Sequence, residues 1–231
     1  MSLSLPPSPA ALRFFWLLSL TSAAATAPAA DFTISVQKAD GSPAADTVVA
    51  LEPARAVPPQ PPTEPVVITQ RDLRFVPYVT VVPPGTVLRF SNQDRYDHHV
   101  RSMPGGPLGN VPPAQQFELR LKAFADGRSD SADVKVDTPG AITLGCHIHG
   151  SMRGHVMVGT SPWTAVTDEH GQVRLRGVPD GAVQLRLWHP DQLVEQPVQT
   201  LQSGAAAQLV QATLNFNPRK RRAPAPPPPA R

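Results

Sequence analysis

Short runs of alternating apolar and polar residues, broken about every 8 to 12 residues by proline, glycine or aspartate, constrain the fold of this chain most strongly. Clear examples are VVITQ, RFVPYVTVV, TVLRFSN and FELRLKAF, which are rich in β-branched or aromatic side chains. No segment before Ser161 keeps helical periodicity over three turns. The pattern therefore predicts an all-β protein built from β-sandwiches.

The two ends of the chain differ from this body. Residues 1–30 contain Arg13, a seven-residue apolar run and then small residues, which together indicate a signal peptide. The run is shorter than the roughly 20 residues that span a bilayer, so we expect a periplasmic protein without stable membrane insertion. Residues 218–231, PRKRRAPAPPPPAR, are predicted to form a disordered basic tail.

The net charge of +3 comes from these ends. Of the 21 basic residues, one lies in the predicted leader and five in the tail, which leaves 15 against all 18 acidic residues in the body. A body with a small negative net charge does not support nucleic-acid binding. Nucleic acid is therefore not an expected partner.

Cys146 is the only cysteine, although exported proteins usually carry cysteines in pairs. Such a thiol can be buried, pair with another chain or bind a metal as a thiolate. Cys146, His149 and Met152 place a thiolate, an imidazole and a thioether within seven residues, and these donors select copper over calcium or magnesium. A further imidazole is available upstream, from His98 or His99.

The Cys-x-x-His-x-x-Met loop resembles that of the cupredoxins, above all the plastocyanin and amicyanin group. In that group an asparagine stands six residues before the first ligand histidine, and here Asn92 stands six before His98. The resemblance implies one copper ion bound by His98, Cys146, His149 and Met152, with His99 as the alternative to His98. His99 takes the place of an asparagine that pins the ligand loops in the family.

Two other histidines flank this loop. Strand alternation predicts that His147 and His155 point away from the metal, as solvated surface residues.

The resemblance extends to exported cupredoxin-like proteins labelled methylamine utilization proteins, over roughly residues 33–190. It implies a Greek-key cupredoxin sandwich at 64–159. The flanks resemble the two halves of a carboxypeptidase-regulatory-type module, which implies a second, small Ig-like or prealbumin-like sandwich. We expect this module to be discontinuous, with 31–57 pairing with 160–217.

These features predict a copper protein that transfers single electrons to and from a redox partner protein. No paired carboxylates or Ser-His-Asp set is legible in the sequence, so we expect no enzymatic activity. Two alternatives remain open. The protein could carry or sense copper without redox turnover, or it could be a metal-free sandwich that binds a protein or a glycan.

Overall fold

The computed structural model describes residues 29–219, and within that range it is all-β, as predicted. The predicted signal peptide and almost all of the predicted tail lie outside the described residues. Between 29 and 219, no helix has the length and apolar character needed to cross a bilayer.

The sixteen strands follow the alternating runs of the sequence. In chain order they are β1 (Ala29–Gln37), β2 (Val48–Pro53), β3 (Val66–Arg71), β4 (Arg74–Val76), β5 (Val79–Val82), β6 (Thr86–Asn92), β7 (His98–Met103), β8 (Glu118–Leu121), β9 (Asp130–Val136), β10 (Gly140–Cys146), β11 (Arg153–Val158), β12 (Thr164–Val166), β13 (Gln172–Pro179), β14 (Gly181–Trp188), β15 (Gln199–Ser203) and β16 (Gln208–Thr213).

The strands from β3 to β11 form two sheets, with the orders β4-β3-β6-β9 and β5-β11-β10-β7-β8. Their inward residues make one apolar cluster, in which Ile68, Leu88 and Phe90 of the four-stranded sheet join Ile142 and Val156 of the five-stranded sheet. Alternation explains this core, because successive side chains of a strand point to opposite faces. We call this unit the first sandwich.

The remaining strands form a second pair of sheets, β13-β1-β16 and β12-β2-β14-β15. Their core is separate and contains Phe32, Ile34, Leu51 and Leu185. Strands β1 and β2 precede the first sandwich and pair with strands that follow it. On the basis of these pairings we propose that 31–57 and 160–217 form one module, the second sandwich, with 64–159 inserted as the other.

The last part of the chain contains one strand more than the sequence pattern indicated. We expected a polar loop and a single strand around ATLNF in 192–217, whereas β15 and β16 both lie there. Strand β15 is an edge strand that pairs only with β14. An edge strand with one covered neighbour needs little apolar patterning, and QTLQS carries a single large apolar residue.

Candidate metal centre

The predicted donors lie at one end of the first sandwich because two neighbouring strands place them there. His98 begins β7 and Cys146 ends β10. These strands are antiparallel neighbours, with Cys146 opposite Val100. Antiparallel pairing therefore brings the start of one strand beside the end of the other, and the turn after β10 carries His149 back to the same end.

Three donor atoms converge at this point. The Sγ of Cys146 lies 3.5 Å from Nδ1 of His98 and 3.6 Å from Nδ1 of His149, and the two nitrogens are 3.3 Å apart. Zinc, as a guide to size, takes bonds of about 2.0–2.3 Å to such donors. An ion at that distance from all three atoms fits a triangle with these edges, so the cluster has the dimensions of a metal site.

Asp94 fixes the orientation of His98. Its Oδ2 lies 2.9 Å from Nε2 of His98, and both side chains are buried. The same carboxylate accepts the backbone N–H groups of Asp72 and Leu73 in the β3–β4 turn. With Nε2 engaged by a carboxylate, Nδ1 of His98 is the nitrogen left for a metal, an arrangement common among metal-binding histidines.

Asp94 was not predicted from the sequence. The available signal was a carboxylate four residues before a candidate ligand histidine. Sequence spacing alone does not separate it from the neighbouring acidic residue Asp97, which instead accepts the backbone N–H of Ala123.

The surroundings of Cys146 favour its thiolate form. Burial raises the pKa of the thiol, but hydrogen bonds with His98, with the backbone N–H of His99 and with His149 outweigh it and lower the pKa to about 6. Burial likewise lowers the pKa of His98, and its hydrogen bonds to Cys146 and Asp94 raise the pKa above the usual value. Both shifts stabilise the charge pattern of a thiolate beside cationic donors, which is the form that binds metals.

Met152 is buried in the same apolar cluster as Cys146, with 1% of its surface exposed. Its backbone N–H donates to the carbonyl of His149, and the guanidinium of Arg153 donates to the carbonyls of Gly150 and Met152. These bonds fold the loop tightly after His149. The assignment of Met152 as fourth ligand stays a prediction.

The adjacent histidines of β7 have separate positions. The imidazole of His98 joins the donor cluster, whereas Nε2 of His99 is hydrogen-bonded to Oε1 of Glu118. The main chain of His99 nevertheless supports the site, because its N–H lies 3.5 Å from Sγ of Cys146 and its carbonyl accepts the N–H of His147. His99 is thus placed beside the cluster and its imidazole outside it.

The expectation that His155 is a solvated surface residue is wrong. Its exposure is 7%, and its imidazole lies between Thr143 and the hydroxyl of Tyr78, with the ring of Trp188 from the second sandwich 6.1 Å away. The sequence pattern placed it correctly on the outer face but gave no sign that another module covers that face. His147 is exposed, as predicted.

This donor set suits copper. A thiolate with two imidazoles is softer than the oxygen donors that calcium and magnesium prefer, and a His₂Cys plane is typical of blue-copper sites. The buried setting supports this, since a desolvated thiolate is stable only beside positive charge or a metal. His98, Cys146 and His149 would hold the ion.

Comparisons with known proteins agree with this chemistry only in outline. No protein-family model matches the chain, and no curated protein matches it. Three solved structures are similar over part of it. A purple cupredoxin from Nitrosopumilus maritimus is 19% identical, with a TM-score of 0.34 over 41% of this chain and 99% of its own.

Amicyanin from Paracoccus versutus is 17% identical, with a TM-score of 0.31 over 47% of this chain and 97% of its own. A copper-containing nitrite reductase from Thermus scotoductus is 20% identical, with a TM-score of 0.35 over 47% of this chain and 25% of its own. These similarities are low and partial. The case for a metal centre therefore rests on the chain's own strands and donor atoms.

Proposed function

We propose that this chain is a periplasmic copper protein that binds one ion at His98, Cys146, His149 and Met152 and transfers single electrons. The observation that carries the proposal is the triangle formed by Sγ of Cys146 and the Nδ1 atoms of His98 and His149, with edges of 3.3 to 3.6 Å. When bound there, copper supplies a one-electron couple between Cu(II) and Cu(I).

The protein's contribution is to hold the donors still. Asp94 fixes the imidazole of His98, and the β7–β10 pairing fixes Cys146 against the backbone N–H of His99. A cage that keeps its shape in both oxidation states keeps the reorganisation energy of electron transfer small. Rigid strands on two sides of the cluster serve this purpose better than a mobile loop would.

His149 is the route by which electrons would enter and leave. Cys146 and His98 are buried, whereas His149 is only partly buried and lies beside Ile148, whose side chain is 56% exposed. A partner protein that docks at this end therefore approaches His149 first. Four protein donors around one ion leave no position for a substrate, so we propose a carrier without enzymatic activity.

Redox titration of the copper-loaded protein tests this function. We expect a strong visible absorption from charge transfer between the thiolate and Cu(II), which disappears on reduction and returns on oxidation. Tight binding of Cu(I) without a coloured Cu(II) form would instead assign the chain to copper transport or sensing. No copper uptake would contradict the proposal.

Two histidines of the same loop provide a matched pair of variants. His149→Ala removes one corner of the triangle, so it should abolish or strongly shift the absorption. His147→Ala changes an exposed imidazole outside the triangle and should leave the absorption in place. Equal loss of colour in both variants would show that the loop, rather than the imidazole of His149, determines the site.

A further inference from the structure

A second group of metal-binding side chains lies on the opposite face of the five-stranded sheet. His98 and His99 are consecutive in β7, so their side chains point to opposite faces. His98 points into the sandwich and His99 points out. The next strand contributes His147, whose backbone N–H donates 2.9 Å to the carbonyl of His99.

The two outer imidazoles are close. The ring centroids of His99 and His147 are 5.5 Å apart, with the rings at 70° to each other. The side chain of His99 is 10% exposed and held by its strand, whereas His147 is exposed. Rotation of the exposed ring about its side-chain torsions brings one of its nitrogens toward the fixed imidazole.

A carboxylate completes the group from the other neighbouring strand. Glu118 of β8 stands opposite Arg101, one diagonal step from His99, and its Oε1 is hydrogen-bonded to Nε2 of His99. The side chain of Glu118 is 59% exposed and therefore free to adjust. Three adjacent strands thus present two imidazoles and a carboxylate at one spot.

Zinc is the ion that this set fits best. Two histidines and one carboxylate are a known zinc ligand set, and the open fourth position takes water. An ion would take the place of the proton now shared between His99 and Glu118. Calcium and magnesium are disfavoured, because they prefer oxygen donors throughout.

Two arginines oppose a cation here and so limit its affinity. Arg120 stands opposite His99 in the β7–β8 register, and Arg101 stands opposite Glu118. Both lie on the same outer face as the three donors. Their charge predicts that removal of Arg120, which is exposed, strengthens cation binding.

We propose that His99, His147 and Glu118 form a second metal site for Zn²⁺, separate from the copper site and independent of the proposed electron transfer. Asparagine at 99, as in the family that the sequence resembles, would not supply the central imidazole. The departure at this position thus has a specific chemical consequence on the outer face of the sheet.

Calorimetric titration of Zn²⁺ into protein already loaded with one equivalent of copper tests the site. We expect one zinc ion to bind. His147→Ala and Glu118→Gln should each weaken it at least about 10-fold, the range seen when groups around a metal are removed, and Arg120→Gln should strengthen it.

The matched control is His170→Ala, because His170 is also an exposed histidine beside a glutamate, with its Nε2 3.6 Å from Oε1 of Glu169. This variant should bind zinc like the parent protein. Absence of zinc binding, or an affinity that His147→Ala leaves unchanged, would overturn the proposal. The double variant Cys146→Ser/His149→Ala dismantles the first site, and zinc binding that remains sensitive to His147→Ala there separates the fate of this site from that of the copper site.

Discussion

The two sandwiches share an architecture but differ in what they bury. The core of the second sandwich is purely apolar, and its buried hydroxyls all donate to backbone carbonyls: Thr47 and Thr167 to Ala44, and Ser203 to Val178. The core of the first sandwich includes a thiol and a thioether, Cys146 and Met152. Only the first sandwich thus contains groups that can hold a soft ion.

The same contrast extends to unsatisfied polar atoms. Among the described residues, the buried side-chain atoms without a hydrogen-bond partner belong to Gln70, Thr80 and Arg101, all in the first sandwich. Buried polar groups are usually satisfied, and exceptions concentrate where a protein trades stability for function. The second sandwich is therefore built as a support, while the first tolerates energetic costs near its donor cluster.

Cys146→Ser gives the largest expected effect on this contrast. A serine hydroxyl does not ionise to a soft donor at neutral pH, so the first sandwich would become as inert toward copper as the second. We expect loss of the visible absorption and of nearly all copper affinity, measured by titration with a competing chelator. Retained colour would show that sulfur is not the donor; a control substitution, Ser203→Ala in the second sandwich, should leave copper binding unchanged.

Acid should destabilise the seam between the sandwiches through His155. Burial, followed by the charges of His189 and Arg153, lowers its pKa to about 3, against about 6.5 in an unfolded chain. Between these values the unfolded chain binds a proton that the folded one does not, so stability falls as pH drops from about 6.5 toward 3, by up to about 5 kcal/mol.

His155→Gln provides the comparison, since glutamine stays neutral across this range. Denaturant unfolding of the metal-free variant at several pH values should show a weaker loss of stability in acid than the parent protein shows. Other titrating groups, including Cys146 and His98, are common to both proteins and cancel in the difference. Parallel pH profiles would contradict the assignment of this loss to His155.

Two glycines test how closely each sandwich is packed. A Cβ on Gly154, just after the metal loop, would lie 2.7 Å from Cβ of Phe75, whereas a Cβ on Gly204 in the second sandwich meets nothing within 4 Å. We expect Gly154→Ala to cost about 1–3 kcal/mol of unfolding free energy and Gly204→Ala to change it by less than about 0.5 kcal/mol. Similar values for the two variants would refute the packing difference.

Met152→Leu should have the smallest effect on metal occupancy. Leucine has a similar size and shape, so the core stays filled, and the long axial bond to a thioether contributes little to affinity. We expect copper to remain bound while its reduction potential shifts, as cyclic voltammetry would record. An unchanged potential would mean that Met152 only fills the core.

Much of the site was predictable because its signals are local. The spacing of Cys146, His149 and Met152 lies within one loop, and strand alternation separates His98 from His99. What the sequence did not reveal depends on contacts between distant segments. The bond from Asp94 to His98 also involves the β3–β4 turn, and the burial of His155 requires Trp188 from another module.

The strand pattern shows the same limit. Long alternating runs such as TVLRFSN predicted β6 to the residue, because one face of each run is buried. The edge strand β15 carries little alternation and was missed. Local periodicity therefore predicts strands that cover a core, and fails where pairing with a neighbour is the main stabilising contact.

X-ray absorption at the copper edge tests the central claim most directly, because it reports the atoms bound to the ion. For protein loaded with one equivalent of copper, the account predicts one short copper–sulfur bond and two nitrogen donors, with the sulfur signal absent in Cys146→Ser. A first shell made only of nitrogen and oxygen in the parent protein would contradict it.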